Sequence, residues 1–474
     1  MRRSLLQNAD SKLFIPETKK FVNYSEPLAL SENSVFSQLG RQLVFCICDN
    51  HPDSLLGYMG LLAADAVPLV LGPTLSDHQL LRLVEIYRPR FAFLSTTRAE
   101  GMNLGKQAVA VGEYSLACLN NGLDHKIHES LSLLLSTSGS TGNPKFVRLS
   151  HENILSNAEA IAEYLEIDSS DRPITTLPAS YTYGLSILHS HILKGATIAL
   201  TNKTFFDRGF WDFLRESMAT TFGGVPYHYE ILKKLKFHRM DLPSLKTLTQ
   251  AGGRMSPENS RDFATECGKK GIRFFTMYGQ AEATARMSYL PHQHAVEKAG
   301  SIGRAIPGGE FWLEDEHGVK IESTGTTGEL VYRGKNVCMG YAESYHDLAL
   351  GDEFGGILKT GDLAYFDADG YFYISGRKKR FLKIFGHRIN LQDIEDLLSG
   401  SGFSVACSGK DDLIDVYLIQ RTAGDGLKVK EKLVAELKLA PGAVRVHGVA
   451  EFPRNEAGKI QYAQLASVAS EVLA

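Results

Sequence analysis

The chain has 474 residues, which exceeds the length of one ordinary domain, so at least two domains are expected. Its 51 Lys and Arg nearly balance 54 Asp and Glu, and a formal net charge of −3 gives no overall field for nucleic acid or an anionic membrane. No apolar run reaches membrane-spanning length, and the first twelve residues lack the apolar core of a signal peptide. We therefore expect a cytoplasmic protein with no membrane span and no nucleic-acid partner.

The six cysteines are scattered along the chain, and only Cys46 and Cys48 lie close together. No further ligand stands at a spacing that would complete a metal site with them. The pattern predicts buried, reduced thiols.

The first part of the chain alternates short apolar runs with helical patterns. Residues 42–49 read as a buried strand, 53–67 have helical spacing, and 67–73 read as another strand, which indicates a parallel βαβ unit. Further apolar runs that end in Gly, Pro or hydroxyl residues follow at 91–95, 195–200, 220–226, 245–253 and 272–279, and a helix is expected to begin at Ser150. Such endings are typical of the carboxyl ends of parallel strands.

Beyond about residue 300 the pattern changes to alternating residues and tight turns, as in antiparallel strands. From about residue 380 a small α+β part follows, with a helix at 391–400, a strand at 415–421 and a helix near 427–438. The boundary is placed at the basic run GRKKR, giving an N-terminal domain of residues 1–376 and a C-terminal domain of residues 377–474.

The stretch STSGSTGNPK, residues 136–145, combines glycines and hydroxyls with one lysine after an apolar run. Glycines let backbone N–H groups approach phosphate oxygens, hydroxyls donate hydrogen bonds, and lysine supplies a charge. It is not the ordinary P-loop, because Asn143 and Pro144 separate Gly142 from Lys145. By itself it fits either a phosphate-binding loop or a flexible surface loop.

This loop resembles the signature loop of the adenylate-forming superfamily, which includes acyl-CoA synthetases, aryl-CoA ligases, firefly luciferase and peptide-synthetase adenylation domains. Five more segments resemble that family's motifs in the same order: YGQAE (278–282), GELVYRG (328–334), KTGD (359–362), GRKKRFLKIFGHRIN (376–390) and PRNEAGK (453–459). The resemblance covers essentially the whole chain. It implies an α/β fold with a large N-terminal AMP-binding domain of stacked αβ subdomains plus a small β-barrel-like part, and a small mobile α+β C-terminal domain.

The resemblance also implies an acid–thiol ligase of the AMP-forming acyl-CoA synthetase type. A carboxylate attacks the α-phosphate of ATP to give an acyl adenylate and pyrophosphate, and a thiol then attacks the acyl carbon as AMP leaves. ATP, Mg²⁺ and either coenzyme A or the phosphopantetheine of a carrier protein are the expected cofactors. Both steps develop negative charge, which positioned cations and N–H donors stabilise.

By the same resemblance, each part of ATP is assigned to a set of residues. The β- and γ-phosphates go to Thr137, Ser138, Gly139, Ser140, Thr141, Gly142 and Lys145; the metal ion goes to Glu282; adenine goes to Tyr278, Gly279 and Gln280 and to the turn of Gly252 and Gly253; and the ribose goes to Asp362 and Arg377. A carboxylate such as Asp362 can accept two hydroxyl donors at once, although KTGD also suits a turn.

The C-terminal motifs are assigned to catalysis and to movement. Lys459 is expected to bridge the substrate carboxylate and the α-phosphate during adenylation. The domain is then expected to rotate about Lys379 and to present the segment around Gly386 to the incoming pantetheine. The basic run at this hinge would otherwise read as a solvated or nucleic-acid-binding patch.

Two positions depart from the family pattern. Phe146 follows the loop lysine where glycine is usual, and Ala281 precedes Glu282 where many relatives have threonine. The second change removes a hydroxyl expected near the α-phosphate or the substrate carboxylate, and Thr284 and Gln280 are the candidates to replace it.

Residues 178–186 indicate which class of carboxylic acid the chain would activate. Amino-acid-activating relatives carry an aspartate here for the substrate amine, whereas this chain has Thr182 at or next to that place and no acid within several residues. A buried ammonium without a counter-charge is costly, so α-amino acids are disfavoured. Tyr181, Tyr183 and Tyr227 predict an aromatic-lined pocket for a fatty or other hydrophobic acid, unless they pack the core.

The acceptor thiol is predicted to be coenzyme A, with a separate acyl carrier protein as the alternative partner. A luciferase-like oxidoreductase and a non-catalytic nucleotide-binding relative are two further readings. Lys379 permits the oxidoreductase, and Phe146 with Ala281 motivates the non-catalytic relative. The complete set of motifs, which includes Lys459, favours the ligase.

Overall fold

The computed structural model describes residues 12–15, 20–23, 34–120, 122–136, 145–384, 387–419, 422–437, 439–455 and 458–474. The helices of this part are α1 (Ser34–Ser37), α2 (Pro52–Ala63), α3 (Asp77–Tyr87), α4 (Thr96–Gly101), α5 (His151–Tyr164), α6 (Thr182–Leu193), α7 (Arg208–Glu216), α8 (Pro226–Lys234), α9 (Pro257–Lys269), α10 (Leu391–Ser399) and α11 (Ala423–Leu437). The strands are β1 (Lys12–Ile15), β2 (Lys20–Asn23), β3 (Leu43–Ile47), β4 (Val67–Leu71), β5 (Phe91–Ser95), β6 (Gly105–Val111), β7 (Tyr114–Leu119), β8 (Leu131–Ser136), β9 (Phe146–Ser150), β10 (Ile198–Ala199), β11 (Thr221–Gly224), β12 (Thr247–Gln250), β13 (Arg273–Tyr278), β14 (Ser288–Leu290), β15 (Arg304–Ala305), β16 (Glu310–Glu314), β17 (Lys320–Ile321), β18 (Gly328–Arg333), β19 (Tyr341–Ala342), β20 (Ile357–Phe366), β21 (Phe372–Arg377), β22 (Phe381–Ile384), β23 (His387–Asn390), β24 (Val405–Lys410), β25 (Leu413–Ile419), β26 (Val444–Val449) and β27 (Glu471–Val472).

The chain divides into two compact units. The first comprises residues 1–311 and 332–358, and the second comprises residues 312–331 and 359–474. The division falls within strands β16, β18 and β20. The boundary of a mobile domain at residue 376 stays a prediction.

The first unit contains an eight-stranded sheet in the order β19-β9-β8-β4-β3-β5-β7-β6. Its central strands β8, β4, β3 and β5 are parallel, and the strands towards both edges pair antiparallel. All five residues of β3 are buried, as are those of β4, because helices cover parallel strands on both faces. The predicted βαβ unit of residues 42–73 is confirmed.

The second sheet of this unit has the order β11-β12-β13-β14-β15. Its first three strands are parallel, so their carboxyl ends meet at one edge. Strand β12 leads there into the Gly252 turn, and β13 leads into Gly279 and the Glu282 segment. The predicted strands of residues 220–279 are confirmed, and their order brings two predicted adenine segments together.

Antiparallel pairing follows after residue 300, as predicted. A five-stranded sheet has the order β17-β16-β18-β20-β21, with antiparallel ladders between β16 and β17 and between β20 and β21. Towards the C-terminus, β22 and β23 form a hairpin, and β24 to β27 form a four-stranded sheet with α10 and α11 beside it. The predicted α+β tail is confirmed, and its apolar core is separate from that of the large sheet.

The prediction of buried thiols is confirmed for five of the six cysteines. All six are free thiols, and five of them are buried while Cys118 is half-buried. Within the described ranges, no group of His, Cys, Asp or Glu side chains could hold a metal ion by itself. No helix in that same part of the chain is long and apolar enough to cross a membrane.

Candidate active site

Glu282 lies in a short turn at the end of β13. The strand ends at Tyr278, and a 3-10 turn, Ala281–Ala283, carries the carboxylate. Between them stands Gly279, where an added Cβ would lie 1.6 Å from the carbonyl oxygen of Ala285. Only glycine fits this close approach of two backbone segments, so Gly279 is required for the turn that presents Glu282.

The residues after Glu282 are fixed by a buried asparagine that sequence reasoning missed. Asn336 Nδ2 donates to the carbonyls of Ala283 at 2.9 Å and Arg286 at 3.1 Å, while its Oδ1 accepts from the Tyr332 hydroxyl at 2.8 Å. Thr284, at a φ of 65°, donates its hydroxyl to the Asn336 carbonyl at 2.6 Å. No local sequence pattern marks a buried amide in a loop. The role of Asn336 is therefore visible only from its contacts with residues far away in the sequence.

These contacts distinguish the two residues that were predicted to replace the hydroxyl missing at Ala281. The Thr284 hydroxyl is buried and donates to a backbone carbonyl. Gln280 is half-buried, and its Nε2 donates to the hydroxyl of Tyr278 at 3.1 Å. Of the two candidate replacements, Gln280 is the one whose amide lies beside the predicted adenine residue.

Tyr341 contacts both Lys145, the predicted phosphate-binding residue, and Glu282, the predicted metal ligand. Its hydroxyl donates to Glu282 Oε1 at 2.9 Å, and its ring centroid lies 3.4 Å from Lys145 Nζ. Burial, together with the nearby Glu282 carboxylate, raises the pKa of Tyr341, so the hydroxyl keeps its proton and acts as the donor. Lys145, Tyr341 and Glu282 therefore form one contiguous group.

A buried arginine anchors the segment that carries Tyr341. Arg148 in β9 is 0% exposed; its Nε donates to the Tyr341 carbonyl at 2.9 Å and its Nη2 to the Met339 carbonyl at 3.0 Å. Its guanidinium also forms an ion pair with Glu353. Because β9 begins one residue after Lys145, the arginine fixes the lysine and the tyrosine relative to each other. An arginine within a short strand reads as a surface residue, so the sequence did not indicate this role.

The predicted glycine-rich loop, Thr137, Ser138, Gly139, Ser140, Thr141 and Gly142, lies outside the described residues. The strands on either side of it, β8 and β9, pair antiparallel. Phe146, which replaces the usual glycine, is fully buried and its ring meets Tyr87 edge-on at 5.4 Å. This departure from the family pattern therefore secures the end of the loop to the core.

The second predicted adenine segment is the turn after β12. Gly252 has a φ of +80°, and an added Cβ would lie 2.6 Å from the Tyr181 hydroxyl oxygen. The carbonyl of Gly253 accepts a hydrogen bond from Gln250 Nε2 at 3.0 Å. Tyr181 thus lies against this turn.

The three tyrosines of the predicted acid pocket occupy different environments. Tyr183 is buried, its hydroxyl lies 2.8 Å from Thr249 Oγ1, and burial raises its pKa to about 12. Tyr181 precedes α6 and is half-buried, with its ring 6.3 Å from that of Tyr183. Tyr227, in α8, is also half-buried. Tyr183 packs in the core, whereas the other two keep part of their surface exposed.

In the second unit, the predicted ribose residues are direct neighbours. Asp362 in β20 is the cross-strand partner of Arg377 in β21, and Arg377 Nε lies 2.9 Å from Asp362 Oδ1. The Asp362 side chain is 3% exposed and that of Arg377 is 62% exposed. Asp362 lies within β20, where Gly361 has a φ of +70° and the Asp362 N–H donates to Thr360 Oγ1 at 3.1 Å.

Lys459 lies in the second unit. Its backbone N–H donates to Asn455 Oδ1 at 2.9 Å, and its carbonyl accepts from the Asn455 N–H at 2.9 Å. Lys379 lies in the 3-10 turn Lys378–Arg380, directly before β22. Gly386 lies outside the described residues.

The family model described as AMP-binding enzyme matches residues 40–342, which include Lys145, Tyr278, Glu282 and Tyr341. The chain belongs to the AMP-binding enzyme family. The resemblance to adenylate-forming enzymes is thereby confirmed.

Two curated members of the AMP-binding enzyme family are similar over much of the chain. An indoleacetate–CoA ligase from Aromatoleum aromaticum is 32% identical over 347 residues, which are 69% of this chain and 65% of the relative. An oxalate–CoA ligase from Arabidopsis thaliana is 29% identical over 344 residues, which are 70% of this chain and 66% of the relative. The match thus spans less than two thirds of the length of either relative.

A solved structure in the family shares the fold. The O-succinylbenzoate coenzyme A synthetase from Bacillus subtilis, in complex with AMP, superposes with a TM-score of 0.76 at 21% identity, covering 98% of this chain and 96% of that one. The predicted α/β class is confirmed, with several sheets and a separate C-terminal sheet.

The contact between Tyr341 and Glu282 is testable. We expect Tyr341→Phe to lower turnover in acid-dependent ATP–pyrophosphate exchange by about tenfold, since hydrogen bonds to charged groups are worth about 1.5–3 kcal/mol. The phenylalanine ring would still pack under Lys145. If the tyrosine acts through the carboxylate, adding Tyr341→Phe to Glu282→Gln should cause little further loss. Full activity in the Tyr341→Phe variant would contradict a positioning role.

Proposed function

We propose that the chain is an AMP-forming acid–thiol ligase, which activates a carboxylic acid with ATP and transfers the acyl group to a thiol. The observation that carries the proposal is the contiguous group of Lys145, Tyr341 and Glu282. A cation and a carboxylate held side by side suit a substrate that brings both phosphate charge and a metal ion. The family's motif order supports the same reaction.

The residues of the first unit support binding of the triphosphate. Lys145, one residue before β9, supplies a positive charge for phosphate oxygens. Glu282 fits Mg²⁺, because this ion is usually held by one or two carboxylates and completes its shell with phosphate oxygens and water. When bound, Mg²⁺ would neutralise phosphate charge. The role of the Tyr341 hydroxyl is to hold the Glu282 carboxylate in place.

The residues of the second unit support binding of the sugar and charge stabilisation at the reacting phosphate. Asp362 accepts ribose hydroxyls through its carboxylate, and the exposed Arg377 both orients that carboxylate and donates to the sugar. Lys459 neutralises charge on the α-phosphate and on the attacking carboxylate. Movement about Lys379 then withdraws the lysine before the thiol reacts.

The relatives guide the choice of acid and acceptor. Their names specify indoleacetate and oxalate, so they favour aromatic or other small acids over fatty acids. We propose an acid whose body packs on the half-buried Tyr181 and Tyr227, rather than a long alkyl chain. Both relatives are named CoA ligases, which favours coenzyme A over a carrier protein.

The test is acid-dependent exchange of pyrophosphate into ATP, across panels of aromatic, short aliphatic, dicarboxylic and long-chain acids. We expect exchange with at least one aromatic or short acid. Thioester formation with that acid, with coenzyme A and a phosphopantetheinylated carrier protein in parallel, then identifies the acceptor. ATP binding without exchange for any acid would contradict a ligase and support a non-catalytic relative. Acid- and ATP-dependent oxygen uptake would instead support an oxidoreductase.

A further inference from the structure

Arg286 is a buried charge with neutral partners. It follows Glu282 by four residues, and it is 2% exposed. Its Nε donates to Ser186 Oγ at 3.2 Å, and its Nη1 donates to the Tyr164 hydroxyl at 3.2 Å and contacts Met277 Sδ at 3.4 Å. Within the part of the chain that the structure describes, no carboxylate forms an ion pair with this guanidinium.

A buried guanidinium without a counter-charge is unusual, because desolvation of the charge is then only partly offset. The ring of Tyr183 lies 5.0 Å from Arg286 Cζ and contributes a cation–π contact. That ring carries no net charge, so the positive charge of the site is not cancelled. Arg148 provides a comparison, because it is also a buried arginine but its guanidinium forms an ion pair with the carboxylate of Glu353.

The backbone of Arg286 is held from two sides. Its carbonyl accepts from Asn157 Nδ2 at 2.8 Å and from Asn336 Nδ2 at 3.1 Å. Both amides are buried. The arginine is therefore built into the site by contacts that do not involve its charge.

The contact with Ser186 places the guanidinium beside the predicted acid pocket. Ser186 lies one helical turn after Thr182 on α6, and the two side chains share one face. Both also line, together with Thr284, a cavity of about 10 Å³, which has room for about one water molecule. The guanidinium therefore lies against the helix that carries the predicted pocket residue Thr182.

We propose that Arg286 is a subsite for a second carboxylate, at the far end of the acid that this enzyme activates. The inference rests on the proposed function and specifies its substrate class. A carboxylate would supply the missing counter-charge and accept two guanidinium N–H bonds in the planar geometry that arginine favours.

The test compares acids that differ only at the far end. One set is butanoate, butanedioate and the monoamide of butanedioate, and a second set is phenylacetate, carboxyphenylacetate and its primary amide. In ATP–pyrophosphate exchange with the wild-type enzyme, we expect kcat/KM for the diacid to exceed that of the matched amide and monoacid by about 30-fold or more in at least one set. The amide has the shape of the carboxylate and lacks its charge, so the comparison isolates charge.

Arg286→Met tests the residue itself, because methionine is apolar and flexible enough to fill the space. We expect it to lower kcat/KM for the diacid by about 30-fold or more and to change that of the monoacid by less than about threefold. Arg286→Lys, which keeps the charge, should retain part of the preference for the diacid. Arg261→Met, at an exposed site on α9, is the matched control and should behave as wild type.

Each outcome bears on the proposal. Diacid preference in the wild type, lost in Arg286→Met and partly kept in Arg286→Lys, supports it. Exchange with monoacids and no preference for the diacid overturns it and leaves the ligase function intact, as does a preference that Arg286→Met retains. If Arg286→Met does not fold, the wild-type comparison of diacid and amide, with Arg286→Lys, decides. Absence of exchange with any acid contradicts the proposed function itself.

Discussion

Lys459→Ala is expected to abolish the first half-reaction while leaving the fold intact. Acid-dependent ATP–pyrophosphate exchange should fall by roughly 10²–10³-fold, because the variant loses a cation aimed at charge that develops in the transition state. The local backbone should persist, because two hydrogen bonds join the backbone of residue 459 to Asn455 and the substitution retains both. A thermal melt should therefore be unchanged within experimental error.

Two controls make the Lys459 result specific. Lys410→Ala removes an exposed lysine at the end of β24 in the same unit and should retain full exchange. Transfer from a supplied acyl adenylate to coenzyme A should survive in Lys459→Ala, because the lysine is assigned to the first step alone. Exchange at the wild-type rate would show that Lys459 takes no part in the first half-reaction.

Asp362→Asn is expected to weaken ATP binding strongly, with KM for ATP rising by roughly 10–100-fold, because each hydrogen bond to a charged group is worth about 1.5–3 kcal/mol. Asparagine keeps the shape and one acceptor oxygen, and it presents an N–H₂ donor where the carboxylate accepts. Arg377 remains largely exposed, so the substitution leaves no buried, unpaired cation. We therefore expect a loss of affinity rather than of folding.

The ribose assignment of Asp362 is best tested with deoxynucleotides. The wild-type enzyme should bind 2′-deoxy-ATP and 3′-deoxy-ATP more weakly than ATP, while Asp362→Asn should distinguish the three much less. Arg377→Gln is the matched comparison, because it removes the partner that orients the carboxylate and leaves the carboxylate in place. Equal discrimination by wild type and Asp362→Asn would show that the aspartate does not contact the sugar.

The fold was largely predictable from local patterns. The runs at residues 42–49 and 67–73 are uniformly apolar and enclose a helical pattern, and such a unit has one stable arrangement in a parallel sheet. The alternating pattern after residue 300 similarly predicted antiparallel pairing. Site residues that lie close together in the sequence could also be predicted, as Gly279 and Glu282 were from a single motif.

Contacts between distant segments were not predictable in this way. Tyr341 reaches Glu282 across 59 positions, and Arg148 reaches Met339 across 191. The Thr284 hydroxyl donates to the Asn336 carbonyl, 52 positions away. No periodicity or motif records such contacts, since they arise only when separate strands and loops are brought together.

The family, the order of the motifs and the residue types that ATP chemistry requires could be read from the sequence, because each depends on a short stretch whose local geometry is intrinsic. Three features emerged only in the folded chain: Asp362 pairs with Arg377, Tyr341 holds Glu282, and Arg286 is buried without an acidic partner among the described residues. Charge and burial are properties of an environment, and packing creates that environment from residues far apart in the chain.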